Sequence, residues 1–259
     1  MSSTRQLKSR IRSVSNTKQI TKAMQLVAAS KMRRAQEATK ASAPYVSVAN
    51  ELLKTLAAHG ATDNHPLFVR RKVRKRLIIF IAADKGLAGA YNTNVLKKYL
   101  ELLNRDDERG IENLTVAVGR KAAQFASRLK DTTVVGTYED LADRPSSIDF
   151  HAILNQATSM YEHHEVDVVT LVYTNFMSSM TQTAEWMRLL PAGTDVASDP
   201  AEGPVSLEEA KYEPNAEEVL SAVAYRMVGA MVLQALLDAR ASEHSMRMIA
   251  MKNATDNAS

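Results

Sequence analysis

The apolar pattern of the first fifty residues constrains this chain more than any other feature. Stepping 4-3-4-3 from Leu7 gives Leu7, Ile11, Val14, Lys18, Thr21, Gln25, Ala28, Met32, Ala35, Thr39, Ser42, Val46, Ala49, Leu53 and Leu56. Most are apolar, so the stripe follows the heptad period of a coiled coil. Where it turns polar, between Lys18 and Gln25, the apolar residues shift by one position to Ile20, Met24 and Val27, which predicts a local slip in winding. Fifty residues at 1.5 Å each make a rod of about 75 Å. A helix of that length and pattern cannot bury its stripe alone, so a partner is required.

The matching pattern lies at the other end of the chain. From Ala216 the same steps pass through Leu220, Val223, Met227, Ala230, Gln234, Leu237, Ala241, His244, Met248 and Met251. Asn215 followed by Glu218 is a capping-box start. Both stripes are rich in Ala and Met, which allow close approach and adapt to an irregular seam. The expected arrangement is an antiparallel pair of terminal helices joined by whatever residues 60–210 build. Two helices of a larger bundle would require further long periodic segments, which the sequence lacks. Pro44 removes a backbone donor and crowds the preceding turn. A kink is therefore expected near residues 41–44, with the helix resuming to about residue 58 and ending at His59-Gly60.

The middle of the chain changes period. Residues 77–82 are a continuous Ile-rich run, as in a strand buried on both faces. Further strands are expected at 114–118, 132–138, 166–174 and 183–190, alternating with helices at 90–104, 120–129 and 150–164. This order predicts an α/β class domain, Rossmann-like, with a mostly parallel sheet. The domain division is 1–59 for the first coiled-coil helix, 60–210 for the α/β domain and 211–259 for the second helix. Residues 192–214, rich in Pro, Gly and acids, form a connecting loop.

Charge is uneven. Nine Lys and Arg precede the first acid, Glu37, so the chain's +4 less these nine leaves −5 for the remainder. One end of the rod should seek an acidic surface or a polyanion. With no cysteine there is neither a disulfide framework nor a thiolate metal site. The longest uninterrupted apolar run, 77–83, is too short to cross a bilayer. The basic, Ser-rich start has the composition of a transit peptide, but the heptad stripe already begins inside it. An intracellular, reducing setting is expected.

Motifs for chemistry are sparse. The turn Asp84-Lys85-Gly86-Leu87-Ala88-Gly89-Ala90-Tyr91-Asn92 follows a strand and opens a helix, yet matches neither nucleotide-binding glycine pattern; a tight strand-to-helix turn is the expectation. The run Arg70-Arg71-Lys72-Val73-Arg74-Lys75-Arg76 offers nucleic-acid binding as an alternative function, together with the basic N-terminal face, but has no interleaved aromatics for stacking bases. Glu162-His163-His164-Glu165 does not place its side chains on one chelating face. His244, alone on the apolar stripe, reads as a packed or hydrogen-bonded seam residue. No catalytic, cofactor-binding or metal site emerges.

Several stretches closely resemble the gamma-subunit family of F-type ATP synthases. They are Ser9-Arg10-Ile11-Arg12-Ser13-Val14, then Asn16 through Met24, then Val27-Ala28-Ala29-Ser30-Lys31-Met32-Arg33, and Arg247 through Asn257 near the far end. The turn from Asp84 to Gly89 with Asn92 is similar too, though Ala88 stands where Cys is common in the family. The resemblance implies a central-stalk rotor without catalysis of its own. Its partners are a ring of three alpha and three beta subunits, the epsilon subunit and the membrane c-ring. It also implies coupling of proton flow to ATP synthesis, and a peripheral location on the cytoplasmic face of a bacterial inner membrane. Contacts with alpha and beta fall on Met24, Lys18, Lys22, Arg33 and Arg247; foot contacts with the c-ring and epsilon are expected at Lys211, Tyr212 and Glu213. The family usually continues several helical turns past the position of Ser259, so a shortened shaft tip is expected.

Overall fold

The computed structural model describes residues 4–58, 65–130, 132–143, 147–193 and 216–258. Ten elements follow in order: α1 (Thr4–Ala58), β1 (Lys75–Ile81), α2 (Tyr91–Asp107), β2 (Glu112–Val118), α3 (Arg120–Ala126), β3 (Thr133–Tyr138), α4 (Ser147–Glu162), β4 (Val168–Phe176), β5 (Gln182–Leu190) and α5 (Ala216–Asn257). Each strand and helix read from the middle of the sequence is present, with boundaries shifted by a few residues. The helix end at His59-Gly60, the Asn215 cap and nearly all of the 192–214 loop lie outside the described residues.

The sheet runs β3-β2-β1-β4-β5. The pairs β1–β2, β1–β4 and β2–β3 are parallel, and the edge strand β5 is antiparallel to β4. Central β1 explains the uninterrupted Ile-rich run, because consecutive residues point to opposite, equally buried faces. Leu77, Ile79 and Ile81 join Val116, Val169 and Leu171 under α4 and α5. Ile78 and Phe80 face α2 and α3 on the other side, with Ala117 and Val172. There Phe80 stacks on Tyr99 at 4.3 Å, whose hydroxyl bonds the Thr115 hydroxyl at 2.8 Å. Three of the six cations in the Arg70–Arg76 run are engaged within the domain, while Arg70, Lys72 and Arg74 are exposed. Arg71 lies over the Tyr161 ring, Lys75 pairs with Glu112, and Arg76 pairs with the fully buried Asp106.

Helices α1 and α5 lie side by side and antiparallel. Thr21 hydrogen-bonds Thr255, and Ser42 hydrogen-bonds Gln234. The two contacts are 21 residues apart on both helices, three heptads in unchanged register. The predicted slip does not occur. Ile20 and Val27 are 60% and 57% exposed, while Thr21 and Ala28 are buried. A threonine pair that satisfies its own hydroxyls holds the seam where hydropathy alone pointed to its neighbours. Nearer the N-terminus, Leu7, Ile11 and Val14 continue the stripe but stand exposed, because α5 reaches only as far as Thr21. Pro44 sits within α1, which is helical from Thr4 to Ala58, and is exposed there.

Helix α5 does more than form a shaft. Leu237, Ala241 and Met251 follow the seam stripe, yet Ala224, Val228, Val232, Ala235 and Ala239, at other angles, are buried in the domain core, and Met227 of the stripe joins them there. One face meets α1 and another meets the sheet and α4. By length and composition α5 could cross a membrane, but 61% of its most apolar window is buried against the rest of the chain.

Candidate functional site

The carboxyl end of β1, the two loops beside it and the midpoint of α5 converge on a polar collar around the helix pair. The sheet geometry places Asp84 just beyond β1. Its Oδ1 accepts the backbone amides of Arg120 at 3.0 Å and Asp140 at 3.1 Å, tying the start of α3 and the loop after β3 to β1. Its Oδ2 accepts Arg240 Nη2 at 3.1 Å. Burial pushes this carboxyl up, but the two amides and the guanidinium more than offset that, so it titrates below its ordinary range.

Charges on α5 extend the network at helical spacing. Arg240 pairs with Glu243 at 2.9 Å and donates to the Leu141 carbonyl at 2.8 Å. Glu243 pairs with Arg247 at 2.7 Å, and Arg247 reaches back to the carbonyls of Lys85 and Gly86 at 3.4 and 3.3 Å. Asp84, Arg240, Glu243 and Arg247 have side-chain exposures of 9, 12, 5 and 12%, so all four ions are largely withdrawn from water. Ions at such depth are retained only when paired and hydrogen-bonded.

A second branch leads to α1. Buried His244 donates through Nε2 to Asp143 at 2.9 Å, and Asp143 takes Lys31 of α1 at 3.0 Å. Burial lowers the His244 pKa despite neighbouring Glu243 and Asp143, so the ring is neutral near pH 7. Burial raises the Asp143 carboxyl, and Lys31 and His244 outweigh it, leaving the group below its ordinary value. His244 is thus the hydrogen-bonded seam residue expected from its place on the stripe.

The collar borders an open cleft of about 530 Å³ lined by Met24, Lys31, Lys85, Leu87, Asp143 and Arg247, among others. Two of the expected contact residues, Met24 and Arg247, therefore share one recess. Met24 is half-buried, and Arg247 turns inward to hold the loop after β1. Lys18 and Lys22 are exposed on α1 toward its N-terminus, with Lys22 bonded to Gln25 at 3.3 Å. Arg33 is exposed and pairs with Glu37 along the helix at 3.6 Å. Lys211, Tyr212 and Glu213 lie outside the described residues. Sequence reading overlooked Asp84, Asp143, Arg240 and Glu243 as a group. The one available signal was Arg240-x-x-Glu243-x-x-x-Arg247, ions at contact spacing on an otherwise apolar helix.

The loop 84–92 is the tight strand-to-helix turn expected of it: Asn92 Oδ1 accepts the Ala83 amide at 3.1 Å, Leu87 takes a φ of 60° and Gly89 one of 55°. In an open α/β sheet this is where ligands enter, outside the carboxyl ends of the strands at the switch in strand order. Here α5 occupies that place. Ile81, Tyr91, Arg240 and Glu243 surround a residual void of about 10 Å³, room for one water at most.

A sequence model of the family described as ATP synthase matches residues 3–259. An ATP synthase gamma chain from Ralstonia nicotianae is 38% identical over 263 residues, covering 100% of this chain and 89% of that one. One from Staphylococcus aureus is 34% identical over 258 residues, covering 100% and 88%. Among solved structures, the fold is similar to a chain of the central stalk and c-ring of Tetrahymena thermophila mitochondrial ATP synthase. That match has a TM-score of 0.65 at 24% identity, over 91% of this chain and 99% of that one. A chain of the Euglena gracilis mitochondrial ATP synthase rotor matches with a TM-score of 0.62 at 16% identity, over 98% and 91%. With the family's sequence pattern running from Ser3 to Ser259 and relatives above 30% identity matching the whole of this chain, the chain belongs to the ATP synthase gamma chain family.

Proposed function

We propose that this chain is the central-stalk rotor subunit of an F1Fo ATP synthase. It transmits torque between a membrane c-ring and a catalytic ring of three alpha and three beta subunits, and so couples proton flow to ATP synthesis. The observation that carries the reading is the pairing of α1 with α5 while α5 is also built into the core of the α/β domain. A twist applied to the domain therefore enters the shaft through packed side chains. The α1–α5 pair acts as an antiparallel coiled coil made from 1–59 and 211–259. Residues 60–210 are the foot, next to the c-ring and the epsilon subunit, with Lys211, Tyr212 and Glu213 at that contact. The complex sits at the cytoplasmic face of a bacterial inner membrane, and catalysis belongs to the neighbouring subunits.

Surface chemistry fits a part that must not stick. Buried apolar area stabilises a contact by about 25 cal/mol per Å², so a broad oily face would hold the shaft at one station. Along α1 the cations Arg10, Arg12, Lys18, Lys22 and Arg33 are exposed among the apolar residues. Exposed ion pairs contribute about 0–1 kcal/mol each, weak enough to form and break as the shaft turns. Only contacts that differ between stations can bias the conformations of the ring.

Two experiments test the reading. Expressed with alpha and beta subunits, the chain should co-purify in a nucleotide-hydrolysing assembly; a chain that stays alone and binds DNA with a steep salt dependence contradicts it. Met24→Lys in the reconstituted complex puts a cation in the collar cleft. ATP hydrolysis should persist while ATP-driven proton pumping weakens, and unchanged pumping removes Met24 from the contact with the ring.

A further inference from the structure

We propose that Asp84, Arg240, Glu243 and Arg247 form an angular key, which fixes the setting of α5 about its own axis against the sheet so that torque passes between foot and shaft without slip. The inference rests on the rotor reading and assigns the positioning of the shaft to named side chains.

Strand order in the sheet opens a crevice beside β1 that in related α/β architectures receives a ligand. This chain sets its own helix there: the void left between Ile81, Tyr91, Arg240 and Glu243 holds one water at most, and the open cleft lies on the other side of the ions, toward α1. The ions in the crevice belong to both bodies: Asp84 and the loop carbonyls of Lys85, Gly86 and Leu141 on the domain side, Arg240, Glu243 and Arg247 on the helix side.

Apolar burial is non-directional and proportional to area, and α5 presents apolar residues around much of its circumference. Such a surface fastens the helix to the sheet but discriminates weakly between neighbouring rotational settings. Hydrogen bonds between charged groups lose strength steeply with angle and distance. A turn of α5 about its axis carries Arg240 away from Asp84 and Leu141, and Arg247 away from Lys85 and Gly86, in the same movement. Asp84 would then lose its cation, and Arg240 and Arg247 would keep only Glu243, which turns with them, while losing every partner on the domain side. A buried ion deprived of a partner is strongly unfavourable in a protein interior. Setting register is the best-attested use of buried ions.

The key is anchored in the strands beyond β1. Asp84 also accepts the amides of Arg120 and Asp140, so the load at Arg240 spreads into the start of α3, just past β2, and into the loop that leaves β3. Ser242 and Ser245 add bonds to the carbonyls of Thr174 and Ser179 at 3.4 and 2.7 Å, extending the anchorage to β4 and its hairpin.

The test replaces direction while keeping volume. In the triple variant Asp84→Asn/Arg240→Met/Glu243→Leu, the carboxamide oxygen at position 84 still accepts the two loop amides. The core keeps its bulk, and Arg247, deprived of Glu243, keeps the carbonyls of Lys85 and Gly86 and borders the open cleft. Assembled complexes are held by the ring and followed through a probe on the foot. In stalled rotors the angular spread of the foot should widen, and fewer protons should be pumped per ATP hydrolysed. A spread equal to that of the unsubstituted chain overturns the key. Should the triple variant fail to assemble, Arg240→Lys decides: it keeps the charge but loses the planar fork, so the spread should still widen, and an unchanged spread overturns the proposal. An unsubstituted chain that never turns in the ring contradicts the rotor reading itself, which separates the two failures.

Discussion

Gly119 shows how much one position can demand. It takes a φ of 93°, and a Cβ there would lie 2.1 Å from the Ala82 carbonyl oxygen. Gly119→Ala should destabilise the domain by about 1–3 kcal/mol from the backbone conformation alone, with the clash adding to it; an unchanged urea midpoint contradicts the geometry. Asp238 makes a pH-dependent prediction. Burial pushes its carboxyl from 3.8 to about 6, against a hydrogen bond from Gln234 and with Glu185 adding to the rise. The folded state then holds the proton more tightly than the unfolded chain, so this group lowers stability as pH rises from 3.8 to about 6 and stays unfavourable above. Asp238→Asn should therefore stabilise the chain by on the order of 2 kcal/mol at pH 7, with the difference vanishing below pH 4, as read by urea titrations at both pH values. His244 works in the opposite sense: with its folded pKa held below 6.5, its contribution is complete above pH 6.5 and declines as the unfolded chain takes up the proton at lower pH. These residue-level properties were the least legible in the sequence. Asp84, Asp143 and Arg240 are ordinary surface residue types whose meaning appears only when distant segments meet.

At the scale of elements, period carried the reading well. The β1 run and its successors are continuous and apolar because parallel strands in this sheet are covered on both faces. Alternation of strands with helices then left few topologies open. The seam between α1 and α5 was legible in period but not in detail. Hydropathy favoured Ile20 and Val27, whereas the observed line passes through Thr21 and Ala28, polar or small residues that let the helices approach closely. Ala28→Leu should overpack this seam and cost about 1–3 kcal/mol, while Val27→Leu, one position away and exposed, should change stability by less than about 0.5 kcal/mol. Equal effects in thermal unfolding would restore the slipped register. The double burial of α5 had a sequence signature of its own, since an apolar helix with weak polarity on any face is one enclosed from more than one side. That pattern was masked by the heptad stripe running through it.

For the whole molecule, the account is of a helix pair whose second member belongs equally to a shaft and to the core of an α/β domain. Fold class was readable because long heptads at both termini flank an alternating β/α middle, and few architectures satisfy that order; the family resemblance rested instead on particular stretches, residues 9–14, 16–24, 27–33 and 247–257 above all. The collar was not, because it is assembled from one strand end, two loops and two helices. The most direct test of the central claim labels the foot and watches it. The chain contains no cysteine, so Glu108→Cys, on the exposed end of α2, gives a single attachment point for a bead in the complex fixed through its catalytic ring. Addition of ATP should turn the bead continuously in one direction, with the label following the shaft. A bead that stays fixed while the same complexes hydrolyse ATP would contradict the account.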